Sequence, residues 1–164
     1  MHITDIRSDL LKTKKLLIRI YTNTGIIGYS EGSGLPTSDI FQKYVDSVIK
    51  PQLIGSDPRI INRHWESLAI GNHDSPKLPH PYVGSVDIAL WDILGKYSNL
   101  PVHALMGGAA RKTIKLYWSV GSGWEMTPDE MLARVQEGRD RGFKAFKIRM
   151  DWKANRQDQN PEKD

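Results

Sequence analysis

The sequence predicts an α+β domain followed by the beginning of a parallel α/β domain, and three observations lead to this fold class. Strand-like segments lie on either side of the turn Asn23–Gly25, which indicates an antiparallel meander. Apolar residues then recur at helical spacing. After residue 112, a strand, a helix and another strand follow in turn, which is typical of a parallel βαβ unit. We place the first domain at 1–112 and the start of the second at 113–164.

The composition of the chain argues against several classes of protein. The chain has 164 residues, a net charge of +4 and no cysteine, which excludes a disulfide framework and thiolate metal sites. It lacks a long apolar run and a signal pattern, so we expect a soluble protein of the cytoplasm with no membrane partner. The basic residues Lys12, Lys14, Lys15 and Arg19 lack interleaved aromatic residues. They therefore predict a solvated strand end rather than a nucleic-acid surface.

The meander is expected to contain three strands, at His2–Ser8, Leu16–Thr22 and Ile26–Glu31. The second is the clearest, because it concentrates apolar and β-branched residues, and the third runs back after the turn. The loop Gly32–Pro36 is rich in glycine but lacks the strand and helix context of a phosphate loop. A nucleotide site is therefore not predicted there.

Two amphipathic helices are expected next. In the first, one stripe consists of Ile40, Tyr44 and Val48, and a neighbouring stripe of Phe41, Val45 and Ile49. Pro51 is expected to end this helix. In the second, Asp57 is the expected N-cap and Pro58 the first helical residue. The predicted inner stripe of the second helix consists of Ile61, Trp65 and Leu68.

A third helix, from about Tyr82 to Tyr97, is apolar around most of its surface and is predicted to be central. Its apolar residues are Val86, Ile88, Ala89, Leu90, Trp91, Ile93 and Leu94. Asp87 and Asp92 interrupt this surface, and structural pairing is the expected role of both. Asp92 has Lys96 one turn later as a partner.

The second domain begins with a strand predicted at Thr113–Val120. A capping box at Thr127 and Glu130 then starts a helix that runs to about Arg141 and is closed by Gly142. Its predicted inward residues are Met131, Leu132 and Val135. A second strand follows at Phe143–Met150.

Two cations share one face of that second strand. Side chains alternate along a strand, so Lys147 and Arg149 point the same way. A buried strand carries charge on its inner face when an anion binds there. Two parallel strands cannot cover their own faces and edges. We therefore expect the chain to be part of a larger folded unit, with the remainder on the same or a second chain.

A helical motif then identifies a family. The segments Ser85–Lys96, Leu100–Val102 and Leu105–Gly108 resemble the enolase superfamily, and more narrowly its mandelate racemase and muconate lactonizing group. Thr24–Glu31 resembles the third meander strand of that group. The resemblance implies a capping domain followed by a (β/α)₇β TIM-like barrel, which is incomplete here. It also implies a Mg²⁺-dependent enzyme that removes the proton next to a substrate carboxylate.

The resemblance makes Lys147 and Arg149 the candidate catalytic residues. The second barrel strand of the family often carries Lys-x-Lys, which aligns here as Lys147–Arg149. Arg149 departs from that pattern, because a guanidinium stays protonated at neutral pH and clamps carboxylates better than it accepts protons. Lys147 remains available as an electrostatic partner or a base. Dehydration of a sugar acid is therefore favoured over two-base racemisation, and a racemase or cycloisomerase is the alternative.

Further residues follow from the same resemblance. Ser119 and Trp124, near the end of the first barrel strand, are candidate substrate-binding residues, with core packing as the alternative. Lys14 is a third candidate, because the loop after the first meander strand usually helps to close the barrel mouth. The Mg²⁺ ligands are expected beyond Asp164, and no metal ligand is assigned in this chain. The expected ligand is a small carboxylate, and the family often forms homo-oligomers.

A rival hypothesis is a non-catalytic binding or assembly module. It would keep the capping domain and lack the metal site. A local metal site is not predicted at His73, Asp74 and His80, because these residues lack the spacing of a paired-histidine motif.

Overall fold

The computed structural model describes residues 1–13, 15–32, 38–71, 78–120 and 126–148. The chain divides into two compact units, Met1–Ala109 and Ala110–Asp164. The first unit contains a three-stranded sheet and most of the helices. The second contains two strands and one helix within its described part.

The sheet of the first unit is the predicted antiparallel meander. Its strands are β1 (Ile3–Leu10), β2 (Leu16–Thr22) and β3 (Ile27–Gly32), in the order β1-β2-β3. Alternate residues of β2 are buried, because one face of the sheet packs on the helices. The meander prediction is confirmed, and only its strand ends differ by one or two residues.

Both edges of this sheet are covered by other parts of the unit. On β3, the Tyr29 N–H donates to Asp92 Oδ2 at 2.8 Å, and Lys96 Nζ donates to the Ile27 carbonyl at 2.7 Å. Asp92 and Lys96 also pair with each other at 2.6 Å, as predicted. On β1, the Ser8 N–H donates to Gln42 Oε1 at 2.9 Å. Covered edges give the sheet few free backbone groups for pairing with another chain.

The first helical segment differs from its prediction. It consists of α1 (Ser38–Tyr44), a π-helical turn (Val45–Ile49) and α2 (Lys50–Leu53), and so it continues through Pro51. In the π turn the Lys50 N–H donates to Val45 O, five residues back, and this wider turn accommodates the proline, which has no N–H. The fully buried stripe is the one formed by Phe41, Val45 and Ile49.

The second helix, α3, spans Ile61–Ala69 and starts later than predicted. Asp57 is not its N-cap: Asp57 Oδ1 accepts the Arg59 N–H at 2.9 Å in a local turn. Ile61 and Leu68 are buried, but Trp65 is 45% exposed, and the prediction for Trp65 was wrong. His64 takes the buried place instead, with its Nε2 2.8 Å from the Asp57 carbonyl oxygen.

The Asp57–Arg59 pair makes stability depend on pH. Hydrogen bonds from the Arg59 guanidinium, and next from its backbone N–H, lower the pKa of Asp57 from 3.8 to about 2. A lowered folded-state pKa contributes stability above pH 3.8 that is lost as pH falls towards about 2. The pair is about one-third exposed, so solvent screening keeps the effect small. We expect Asp57→Asn to flatten this acid limb in urea unfolding measured from pH 5 to pH 2. An unchanged slope would contradict this linkage.

The third helix, α4, spans His80–Ser98 and packs across β3. Ser30 Oγ donates to the Ser85 carbonyl at 2.6 Å, and Gly28 lies directly against the α4 backbone. Ile88 is 55% exposed, so α4 is less completely enclosed than predicted.

Burial raises the pKa of Asp87, and a hydrogen bond with the Trp91 side chain opposes that rise. Among the described residues, the partner of the Asp87 carboxylate is therefore the Trp91 indole. The short helix α5 (Val102–Leu105) follows.

The second unit is a parallel βαβ arrangement. It consists of β4 (Trp118–Ser119), α6 (Pro128–Asp140) and β5 (Phe146–Lys147). The capping box of Thr127 and Glu130 and the positive φ of Gly142 confirm the predicted ends of α6. Both strands are shorter than predicted, because ladder bonds join them only around these residues. Leu132 is 67% exposed, so the prediction for it was wrong; Met131 is buried, and α6 contacts the sheet at Gly138.

Candidate functional site

Helix α6 covers one face of the β4–β5 pair, and Gly138 allows the close approach. A Cβ atom at Gly138 would lie 2.6 Å from Trp118 Cγ and 2.8 Å from Phe146 Cε1. Val120 is buried as well. Trp118, Val120 and Phe146 therefore point towards α6, and this aromatic face is the helix side of the sheet. The sequence prediction missed this role of Gly138.

An exposed polar pair lies on the opposite face. Ser119 and Lys147 are register partners in the parallel ladder. Each alternates with a neighbour that faces α6, so both side chains point away from the helix. Both are exposed. The structure thus brings together two of the five predicted site residues at the carboxyl ends of two adjacent parallel strands.

The backbone fixes that pair in place. The Trp118 N–H donates to Ala145 O at 2.8 Å, and the Val120 N–H donates to Lys147 O at 2.9 Å. These two bonds lie on either side of Ser119 and hold its backbone beside that of Lys147 on β5. The spacing of Ser119 and Lys147 is therefore set by the ladder rather than by flexible loops.

The helix side of the same strands is held by aromatic and cationic contacts. The Trp118 and Phe143 rings lie 5.0 Å apart between centroids. The Arg141 guanidinium lies 5.2 Å from the Trp118 ring centroid, and Arg141 Nη2 donates to Glu137 Oε1 at 2.6 Å. Such contacts fix the orientation of Trp118 and hence the opposite orientation of Ser119.

The other three predicted site residues, Arg149, Trp124 and Lys14, lie outside the described residues. The shared face of Lys147 and Arg149 and the clamp role of Arg149 therefore stay predictions. So do the substrate-binding roles of Trp124 and Lys14. His73 and Asp74 also lie outside the described residues, whereas His80 is the first residue of α4.

The described residues contain no group of three or more His, Asp or Glu side chains that could hold a metal ion. These residues therefore do not form a Mg²⁺ site by themselves. In the same parts of the chain, no helix combines the length and the apolar character needed to cross a membrane.

Comparison with known proteins agrees with this architecture. Residues 7–107, more than half of the chain, match the model of the mandelate racemase / muconate lactonizing enzyme N-terminal domain. A D-galactonate dehydratase family member from Streptomyces bingchenggensis is 33% identical over 153 residues, which are 89% of this chain and 36% of that protein. A D-galactonate dehydratase from Pectobacterium atrosepticum is 32% identical, over 90% of this chain and 38% of that protein.

A solved structure shares the fold. The 2-chloromuconate cycloisomerase from Rhodococcus opacus 1CP superposes with a TM-score of 0.70 at 25% identity, covering 93% of this chain and 44% of that one. The chain spans little more than a third of the length of the two curated relatives. The predicted fold class, a capping domain followed by an incomplete barrel, is confirmed. The chain belongs to the mandelate racemase and muconate lactonizing enzyme group of the enolase superfamily.

Proposed function

We propose that this chain forms the capping domain and first barrel strands of an acid-sugar dehydratase. The observation that carries the proposal is the polar pair Ser119 and Lys147, at the carboxyl ends of parallel strands and opposite the covering helix. In β/α barrels the helices lie outside, and active sites lie at the carboxyl ends of the strands. The relatives named D-galactonate dehydratase support an acid sugar as the substrate class.

Lys147 would supply positive charge where the reaction develops negative charge. Dehydration breaks the C2–H bond next to the carboxylate, and the C3–O bond then breaks to release water and leave an enol, which becomes a keto acid. Charge accumulates on the carboxylate as the C2 proton leaves. An ammonium group beside that carboxylate stabilises this state more than the ground state.

Arg149 would hold the carboxylate or a hydroxyl group of the same substrate. Its guanidinium offers a planar set of donors that suits bidentate contacts and is a poor proton acceptor at neutral pH. The general base would then be supplied outside the described residues. This division of roles favours dehydration, which needs one base, over racemisation with a base on each face.

Mg²⁺ is part of the proposal through family membership. When bound, the metal would polarise the substrate carboxylate and make the C2 proton more acidic. The described residues do not fit a metal site, so its ligands would lie elsewhere in the complete enzyme. No step assigned here to Lys147 or Ser119 depends on the position of the metal.

The complete enzyme, in this proposal, contains this chain and the remainder of the barrel on the same or a second chain. Apolar side chains of the second unit support this: Ile114 is 73% exposed and Leu116 is 71% exposed. In the complete enzyme, a neighbouring element would bury them. Homo-oligomer formation is also proposed, from the family alone.

An activity assay tests the proposal. The complete enzyme would be incubated with a panel of acid sugars that includes D-galactonate, with Mg²⁺ and with EDTA, and keto-acid formation would be measured. We expect turnover of at least one acid with Mg²⁺ and none with EDTA. Turnover that persists in EDTA, or no turnover of any acid, would contradict the proposal.

The likeness to a cycloisomerase favours one alternative, an isomerase of the same group. Isomerisation without loss of water in the same assay would support it. A non-catalytic module is the second alternative, and it would bind acids without converting any of them.

A further inference from the structure

The meander sheet has a face that points away from the helices, and two rows of side chains lie on it. Alternation along the strands places them there, because the residues between them on β2 are buried against the helices. The first row consists of the register partners Asp5, Tyr21 and Ile27. The second row, two residues away along each strand, consists of the register partners Arg7, Arg19 and Tyr29. These six residues are called the open sheet face below.

Contacts within the chain already hold the charged side chains of this face in place. Arg7 Nε donates to Asp5 Oδ2 at 2.6 Å, and Arg19 Nη2 donates to Asp9 Oδ2 at 2.5 Å. The Arg7 and Arg19 guanidinium groups lie 5.4 and 5.7 Å from the centroid of the Tyr21 ring. Association through this face would therefore immobilise few further side chains, which lowers its entropic cost. Arginine and tyrosine are also enriched among the residues that dominate binding energy in protein interfaces.

We infer that the open sheet face is a contact surface for a second copy of this chain. A two-fold axis that runs across the strands, between the two rows, would place each row over the other row of the second copy. The pairs brought together are Asp5 with Arg7, Tyr21 with Arg19, and Ile27 with Tyr29. These are an ion pair, a cation–π pair and an apolar pair, and the symmetry forms each of them twice. The proposed function includes homo-oligomer formation, and this inference gives it a surface.

The sheet favours a contact through its face rather than its edges. Hydrogen bonds from Ser8 to Gln42 and from Tyr29 to Asp92 cover the two edges. The face offers a flat area of roughly 300 Å², from three strands about 4.8 Å apart and about 3.3 Å per residue. A standard interface buries about 800 Å² per partner, so this contact alone is expected to be weak and dependent on concentration.

Two charge reversals and their mixture test the inference on the complete enzyme. Arg7→Glu and Asp5→Lys each place like charges opposite one another across the two-fold axis. We expect each variant alone to associate at least about 10-fold more weakly in sedimentation velocity. In an equimolar mixture, residue 5 of each variant meets an opposite charge at residue 7 of the other, so association should recover. Mixing cannot restore the Asp5–Arg7 pair within a chain, so recovery identifies a contact between copies.

Two further variants separate this contact from a general loss of structure. Arg63→Glu is the matched control, because Arg63 is exposed on α3 and lies outside the open sheet face, and it should leave association unchanged. Tyr29→Glu changes a side chain that is 42% exposed and would set a carboxylate against Ile27 of the second copy. It should weaken association, and it decides the matter if circular dichroism shows that a charge reversal prevents folding.

Three results would overturn the inference. They are a native enzyme that stays monomeric up to about 100 µM, folded variants of the open sheet face that associate as the native enzyme does, and a mixture of folded reversals that does not recover. Turnover is not measured in this experiment. The contact surface can therefore fail while the dehydratase activity stands, and the acid panel can fail while the contact surface stands.

Discussion

Replacing Lys147 with methionine will lower kcat/KM of the complete enzyme by about 10²- to 10³-fold, the usual cost of removing one group that stabilises charge in the transition state. Lys147 lies at the carboxyl end of β5 and faces away from α6, beside Ser119. Methionine keeps most of the length of the side chain and removes its charge. Steady-state kinetics on the acid identified by the panel would measure the loss.

Lys144 provides the matched control for this substitution. It is exposed and precedes β5, outside the ladder that holds Lys147. Lys144→Met removes the same charge from the same unit, and we expect it to change kcat/KM by less than about threefold, since exposed charges away from a site act weakly. Equal losses in both variants would mean that net charge, rather than the position of Lys147, matters.

Replacing Gly28 with alanine will destabilise the capping unit by about 3 kcal/mol, at the upper end of ordinary overpacking. A Cβ atom there would lie 2.2 Å from the Ala89 carbonyl oxygen and 2.7 Å from Ile93 Cγ1. The nearest atom belongs to the backbone of α4, so a change of side-chain rotamer cannot relieve the contact. The whole helix would have to move away from β3. Urea unfolding followed by circular dichroism would measure the change.

Gly84 is the control, because it lies on α4 and a Cβ atom added there would have nothing within 4 Å. Gly84→Ala should stabilise the unit by about 0.5–1 kcal/mol, since alanine costs less conformational entropy in a helix. Destabilisation by both substitutions to a similar extent would contradict the packing of α4 on β3.

Features set by local interactions were predicted correctly from the sequence. The capping box of Thr127 and Glu130 joins residues three apart, and Gly142 closes the same helix through its own backbone conformation. The meander likewise depends on a short turn between adjacent strands. In each case the residues that decide the structure are neighbours in the sequence.

Features set by distant contacts were harder to predict. Ile40 and Phe41 each begin a stripe with the same spacing, so periodicity could not show which stripe would be buried. Asp57 and Pro58 form a good helix start, but Arg59 captures the Asp57 carboxylate in a turn. Trp65 is exposed, whereas its neighbour His64 is buried and its Nε2 makes a hydrogen bond with the Asp57 carbonyl oxygen.

The candidate site also combines a feature that the sequence predicted with one that depends on distant contacts. Alternation along β5 predicted the direction of Lys147, but its pairing with Ser119 depends on the register between two strands separated by a helix. The aromatic residues that precede each of them, Trp118 and Phe146, were the available signal for that register. The roles of Arg149, Trp124 and Lys14 remain predictions, since these residues lie outside the described part of the chain.

The fate of one hydrogen atom tests whether the complete enzyme removes the proton next to the substrate carboxylate. The acid identified by the panel would be deuterated at C2 and converted by the complete enzyme, and the product would be examined by mass spectrometry. We expect a slower reaction for the deuterated acid and a product without the label, because the C2–H bond breaks and its proton exchanges with solvent. A keto acid that carries the deuterium at C3, as a direct hydride shift from C2 to C3 would leave it, would contradict proton removal.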